Sequence, residues 1–527
     1  MKACTERFQT FSEKKMKKST IKGIWLAVCA CLLAAGFSAC DKGEETCKHD
    51  WIQSIQTEAT CESEGVMWLY CQACGESRYE PIEKHDYEDG VCKDCGTPKV
   101  SAGLEYKAVG NGYKVVGIGT CKDTELYFPD EYYGKPVTEI ANAAFFQNKA
   151  ITRVHFPATL QKIGNGAFYE CSRLESVEFP ETLKIIDDSA FYGCEKLQAI
   201  ALPDGLATLG KAAFRDCVGA STLRIGGGIE RVPFQAFYGC ANLETVTFAE
   251  GLKYIDKSAF ADCAQLSALH LPEGMLEIGE NAFWGCKVIA ELSLPSTLST
   301  LYENAFYRNA LLETVVLPAS LKGVPAYAFA ECTNLQTVTF AEGVEKVNGS
   351  AFQGCVKLEN LTFSSTVKTI GTSAFFGCSS LKTLDLQQVE RIENSAFRDC
   401  TGLTELRIPD GVTNVEQNAF AYCKNLETVI MGGGVQTLSG GTFSGCEKLQ
   451  TLVFGAGVKS VADAVFTGCD ALQTVYYHGE KSAWDALNKG KNACLTGANV
   501  YYYSEERRVG ETDAFWHFVD GNPILWV

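Results

Sequence analysis

A Phe, nearly always preceded by Ala, returns fifteen times between Phe145 and Phe466, at steps of 23 residues except for a step of 22 from Phe375 to Phe397. Self-similarity at a fixed short period builds a solenoid or a propeller, because one unit cannot bury its own apolar side chains and must stack on copies of itself. Twenty-three residues are too few for a four-stranded propeller blade.

One copy defines the unit. Phe168 is followed by Cys171, Leu174, Val177, Phe179, Pro180, Leu183, Ile186 and then Ala190-Phe191, or A-F-x-x-C-x-x-L-x-x-V-x-F/L-P-x-x-L-x-x-I. Val177 and Phe179 sit at period two, which predicts a short strand with one face inward. Pro180 lacks a backbone donor and ends that strand. Leu183 and Ile186 are expected to turn the chain, and the Ala-Phe segment to return it as one helical or 3₁₀ turn. Strands stacked about 4.8 Å apart over fifteen turns give a length of about 70 Å.

With these residues, the unit resembles the repeat of BspA-like leucine-rich-repeat proteins, which are bacterial cell-surface proteins. The match covers about residues 103–477. It implies a leucine-rich-repeat solenoid of short strands stacked into a parallel sheet, with turns and short helical segments. It also implies surface display and partner binding or adhesion, and no reaction. The repeats are expected over 144–477, an N-terminal cap over 103–143 and a C-terminal cap over 478–527.

The formal net charge is −17. Phosphate-rich nucleic acid and anionic membrane surfaces repel such a chain, so neither is expected as its main partner. Solubility of an exposed protein explains the same charge.

Residues 1–39 read as a removable export signal, with Met16 as the expected start. Met16-Lys17-Lys18 and Lys22 form a basic region and Ile24 to Ala35 an apolar one. Phe37-Ser38-Ala39-Cys40 resembles a bacterial lipobox. On that reading Cys40 carries the lipid, residues 40–46 are a tether, and the protein is exported and lipid-anchored at the bacterial cell surface. Ordinary cleavage after Ala39 is the alternative. No later stretch is long and apolar enough to span a bilayer, so contact with the membrane rests on the lipid anchor.

Residues 47–97 form a separate small module with eight candidate metal ligands: Cys47, His49, Cys61, Cys71, Cys74, His85, Cys92 and Cys95. Cys71-Gln72-Ala73-Cys74-Gly75 and Cys92-Lys93-Asp94-Cys95-Gly96 have the spacing of zinc knuckles, and the module resembles a zinc ribbon. So small an apolar complement needs a staple. One or two structural zinc ions fit. In the two-site division, Cys61, Cys71, Cys74 and His85 hold one ion, and Cys47, His49, Cys92 and Cys95 the other. In the one-site division the four knuckle cysteines bind alone. Disulfides are the competing chemistry for an exported protein.

Three residues after the Phe, thirteen copies carry Cys, from Cys171 to Cys469, and two carry Asn, at Asn148 and Asn309. A small, partly polar niche inside each turn accounts for this, with buried, inert thiols. The outward strand positions flank the inward Val or Leu. The first is Thr at Thr222, Thr245, Thr314, Thr337, Thr383, Thr428, Thr451 and Thr474. Such a column follows from β-propensity alone or forms a ribbon of hydroxyls that contacts a ligand. Only His155 and His270 lie in the repeats, five turns apart. No catalytic order or phosphate loop stands out, and the chain is expected not to be an enzyme.

The expected function is therefore adhesion to an extracellular host or matrix protein. The alternative is glycan capture at the surface, feeding a partner enzyme or transporter, which exposed aromatics near Trp484 or Trp516 would favour.

Overall fold

The computed structural model describes residues 51–57, 65–71, 77–82, 87–88, 91–92, 98–508 and 514–526. The expected signal, Cys40 and the tether lie outside them. The chain divides into two compact units, Met1–Lys99 and Val100–Val527.

In the first unit, strands Trp51–Thr57, Gly65–Cys71 and Ser77–Ile82 form an antiparallel sheet. A two-residue pair, Tyr87–Glu88 with Val91–Cys92, follows. Cys71 ends the middle strand and Cys92 is buried beside this small β-structure. The other six candidate zinc ligands lie outside the described residues.

The second unit is a right-through stack of three-sided turns. The first side is the strand expected from Val177, present as Ser176–Glu178 and paired in parallel with Arg153–His155. The second side differs from expectation. Leu183 and Ile186 do not merely turn the chain, because Ile185–Ile186 is itself a strand, paired in parallel with Lys162–Ile163 and Thr208–Leu209. Two residues are too short a run to show period-two alternation, so the sequence concealed this second sheet.

The third side, carrying the Phe, is not a helix. Alternate N–H groups bond three residues back, as Cys171 does to Phe168 O, in the manner of the expected 3₁₀ turn. The groups between them instead donate to the next turn, as from Phe168 to Ala190 O at 2.7 Å and from Glu170 to Tyr192 O at 2.6 Å. A helix would spend all its donors along its own axis. Here half are aimed along the stack. That aim requires left-handed backbone two residues before and two after every repeat Phe, with φ between 51° and 79°. Non-glycine residues pay about 1–2 kcal/mol each for this conformation, offset by the bonds it permits between turns.

The core is one continuous column. Successive Phe rings from Phe145 to Phe466 stack with centroids 5.0–5.8 Å apart and planes within 15° of parallel. Beside them run the cysteines. Each thiol donates to the carbonyl of the preceding turn's Phe, as from Cys194 Sγ to Phe168 O at 3.3 Å. Burial pushes Cys171, Cys240, Cys332 and Cys423 up to about 12. They are inert, hydrogen-bonded core groups, and none is in a disulfide.

The two Asn exceptions have different causes. Asn148 has no repeat turn before it, and its Oδ1 accepts instead from Ala150 and Ile151 N–H. Asn309 sits mid-column, where its Nδ2 donates to Phe283 O at 3.0 Å and its Oδ1 is buried without a partner.

A hairpin precedes the first turn. Glu105–Val109 and Gly112–Gly117 form an antiparallel hairpin whose second strand joins the short-strand sheet beside Lys135–Ile140. Glu125–Tyr127 begins the long-strand sheet.

At the other end, helix Lys481–Ala486 presents Trp484 to Phe454 and Tyr477, closing the core. Strand Asn499–Tyr503 extends the long-strand sheet by one more rung.

Candidate functional site

The outward face of the long strands is the candidate site. Thr222 lies opposite Thr245, Thr314 opposite Thr337, and Thr428 opposite Thr451, which lies opposite Thr474. The inward residues between them, such as Leu223, Val315 and Val429, are buried. These threonines form a register-aligned column on the paired strands, which Thr383 does not join. Thr383 lies in a segment, residues 381–386, that forms no strand. This is the 22-residue turn, shorter by one residue at the corner after the strand position, and its chain joins neither neighbouring strand.

Ion pairs occur on both sheet sides, with Arg153 on Glu125 at 3.9 Å and Arg224 on Asp204 at 2.7 Å beside the long strands. Beside the short strands, cations pair with carboxylates of adjacent turns: Lys162 with Asp187 at 2.8 Å, Lys253 with Glu230 at 3.0 Å, Lys257 with Glu280 at 2.8 Å, and Arg231 with Asp256. On the long-strand side, Glu244, Glu313 and Glu359 are exposed and form no ion pair among the described residues.

The C-terminal segment does more than cover the last turn. Strand Phe515–Val519 pairs briefly with Asn499–Tyr503, then forms a hairpin with Asn522–Leu525. The hairpin lies across the outward strand face. Trp516 is fully buried against Ile430, Val453, Tyr476 and Tyr501, which occupy the second outward column. Its tip reaches Arg407, whose Nη1 and Nη2 donate to Gly521 O and Asn522 Oδ1, both at 2.8 Å, while Nε bonds Glu405 at 2.6 Å. The sequence carried a signal for this contact. The second outward column, Thr or charged in most turns, becomes Ile430 and Val453 where the hairpin lies.

Two clefts flank Arg407. One, about 250 Å³, lies between the hairpin and Glu405, Thr428 and Thr451. The other, about 460 Å³, lies over the short turn and is lined by Leu361, Thr383, Leu384 and Asp385.

A second exposed array runs along the Phe side. Phe146, Tyr169 and Tyr192 stack at 4.9 and 4.6 Å, and Arg215 lies over both Tyr192 and Tyr238. These ring faces cover one another, so the array offers edges rather than a platform for a sugar. Trp484 and Trp516, near which exposed aromatics would favour glycan capture, are themselves 5% and 0% exposed, while Phe518 beside Trp516 is 37% exposed.

Among the described residues no group of three or more His, Cys, Asp or Glu is placed to hold a metal ion, and no helix is long and apolar enough to cross a membrane.

Three solved structures show the range of similar folds. A leucine-rich repeat protein from Bacteroides ovatus aligns with a TM-score of 0.56 at 22% identity, covering 77% of this chain and 99% of its own. A leucine rich cell surface protein from Faecalibacterium prausnitzii aligns with a TM-score of 0.33 at 20% identity, covering 76% and 99%. The pneumococcal vaccine antigen PcpA aligns with a TM-score of 0.38 at 19% identity, covering 75% and 97%. Only the first is close enough to argue from, and it supports the solenoid fold. No curated protein matches the chain. The family described as BspA type leucine rich repeat region matches residues 138–267, 253–382 and 380–483. Its repeats span the stacked turns, and the chain belongs to this family.

Proposed function

We propose that the chain is a non-enzymatic, surface-displayed interaction protein that adheres to a host or matrix protein through the outward face of its long strands. The observation that carries this reading is the contrast along that face. In its last turns the second outward column is apolar and covered by the chain's own hairpin, whereas from Thr222 to Thr362 the face is mostly polar and uncovered, with Val316 as an exposed apolar exception. Extended solenoid faces of this kind bind proteins.

Display follows from export through residues 1–39 and lipid attachment at Cys40, with a zinc-stapled module at residues 47–97. Radiolabelled palmitate incorporation, lost in Cys40→Ser, tests the anchor. Zinc content of the purified chain, lowered in Cys71→Ser and Cys92→Ser, tests the staple.

The adhesion test is saturable binding of the full chain to immobilised matrix proteins, with a glycan array in parallel. Thr245→Arg and Thr314→Arg should weaken protein binding, and Lys257→Glu, beside the short strands, should not. Glycan binding without protein binding would reverse the conclusion.

A further inference from the structure

The 22-residue turn is where the regular array fails: residues 381–386 form no strand. At the inward strand position, Val315, Val338 and Leu406 are 0–2% exposed. Leu361 and Leu384, at the same position beside and within the short turn, are half-buried, as are Val177, Val246 and Leu292 in regular turns; what sets the short turn apart is the cleft. Leu361 and Leu384 line this cleft of about 460 Å³ together with Asp385 and Arg407. Residues 381–386 stay out of the sheet, and the cleft lies over them while Leu381, Leu386 and Val389 remain buried beneath.

The charges around this opening are not symmetric. Arg407 is engaged by Glu405, Gly521 and Asn522, so its guanidinium forms a wall already neutralised by a carboxylate. Asp385 is exposed and, among the described residues, accepts only the N–H of Gln387, two residues on, at 3.2 Å. Glu359 stands exposed one turn away, and Lys382, at the leading corner of the short turn, does not line the cleft.

An apolar wall ending in a carboxylate matches a long side chain with an aliphatic stem and a cationic head. We propose that this cleft takes a lysine or arginine side chain from a basic segment of a partner protein, with its stem on Leu361 and Leu384 and its charge on Asp385. The site rests on the protein-binding reading of the strand face and names the chemistry that the reading leaves open. The unpaired acids of that face would draw a basic segment toward it.

Fluorescein-labelled hexalysine, with hexaglutamate as control, titrated against the full chain at low and moderate salt tests this. Hexalysine should bind and hexaglutamate should not. Asp385→Lys should weaken binding about tenfold, and Glu313→Lys, three turns away on the same face, by much less. Equal losses in the two variants, or no binding of hexalysine, would overturn the site. The matrix-binding assay separates the two readings. Matrix binding unaffected by Asp385→Lys sinks the cleft alone. Asp385-dependent hexalysine binding without matrix binding sinks adhesion alone.

Discussion

Cys171 donates its thiol hydrogen to the carbonyl of Phe145, 3.1 Å away and one turn back. The same geometry repeats up the column, as at Cys217 on Phe191 and Cys355 on Phe329. A group held as the neutral thiol inside the fold and free to ionise outside it couples stability to pH. Burial raises Cys171, Cys240, Cys332 and Cys423 from 9.0 to about 12. Their contribution is full below about pH 9 and is lost as pH climbs toward about 12. Thermal unfolding under reducing conditions should fall steeply above pH 9, and less steeply in a variant with several of these cysteines changed to Ala. A flat profile from pH 8 to 11 would contradict this.

Asn309 interrupts the thiol column and leaves a buried oxygen unpartnered. An unmet buried acceptor costs about 1–3 kcal/mol. Asn309→Cys keeps the donor to Phe283 O and removes that oxygen, so it should raise the denaturant midpoint by about 1 kcal/mol in stability. A lower midpoint would mean that the oxygen has a partner, such as a buried water.

Tyr327 is exposed and has φ of 57°. Its side chain has little packing to lose, and its backbone is strained. Tyr327→Gly should be neutral or stabilising by up to about 1 kcal/mol, and Tyr327→Val should cost about 1–2 kcal/mol. The two melting curves, compared with wild type, check the left-handed assignment directly.

Arg407 holds the hairpin tip from the opposite end of the covered strip. In Arg407→Ala the tip loses both bonds while Trp516 keeps its apolar seat. Limited proteolysis should therefore cut near Gly521 sooner, with the global melting temperature changed little. A blue-shifted Trp emission that stays unshifted in the variant would show that Trp516 remains seated. A large red shift would show that the arginine holds the whole hairpin.

The sequence disclosed what repeats in side chains and hid what repeats in backbone. The Phe, Leu and Cys periods located the stacked turns and one sheet, because burial selects those side chains at every copy. The second sheet escaped because Ile185–Ile186 is too short to alternate. The left-handed positions escaped because glycine fills only some of them, among them Gly193 and Gly239, while Ser189, Asp216 and Gln235 adopt the same φ. At the site, the outward threonines were legible from the strand period. The hairpin over them was not, since its contact with Arg407 spans 114 residues and no local pattern announces it.

Because the bond from Phe168 to Ala190 O is the same bond as that from Phe191 to Ala213 O, the junctions between regular 23-residue turns are interchangeable with one another. An in-frame duplication or loss of 23 codons joins surfaces that already fit, and it changes the reach of the stack by about 4.8 Å without a new core having to be invented. The hairpin and Arg407 travel together at one end and are untouched by such an event upstream. Unequal recombination can therefore adjust how far this protein extends, a turn at a time, while the fold stays fixed.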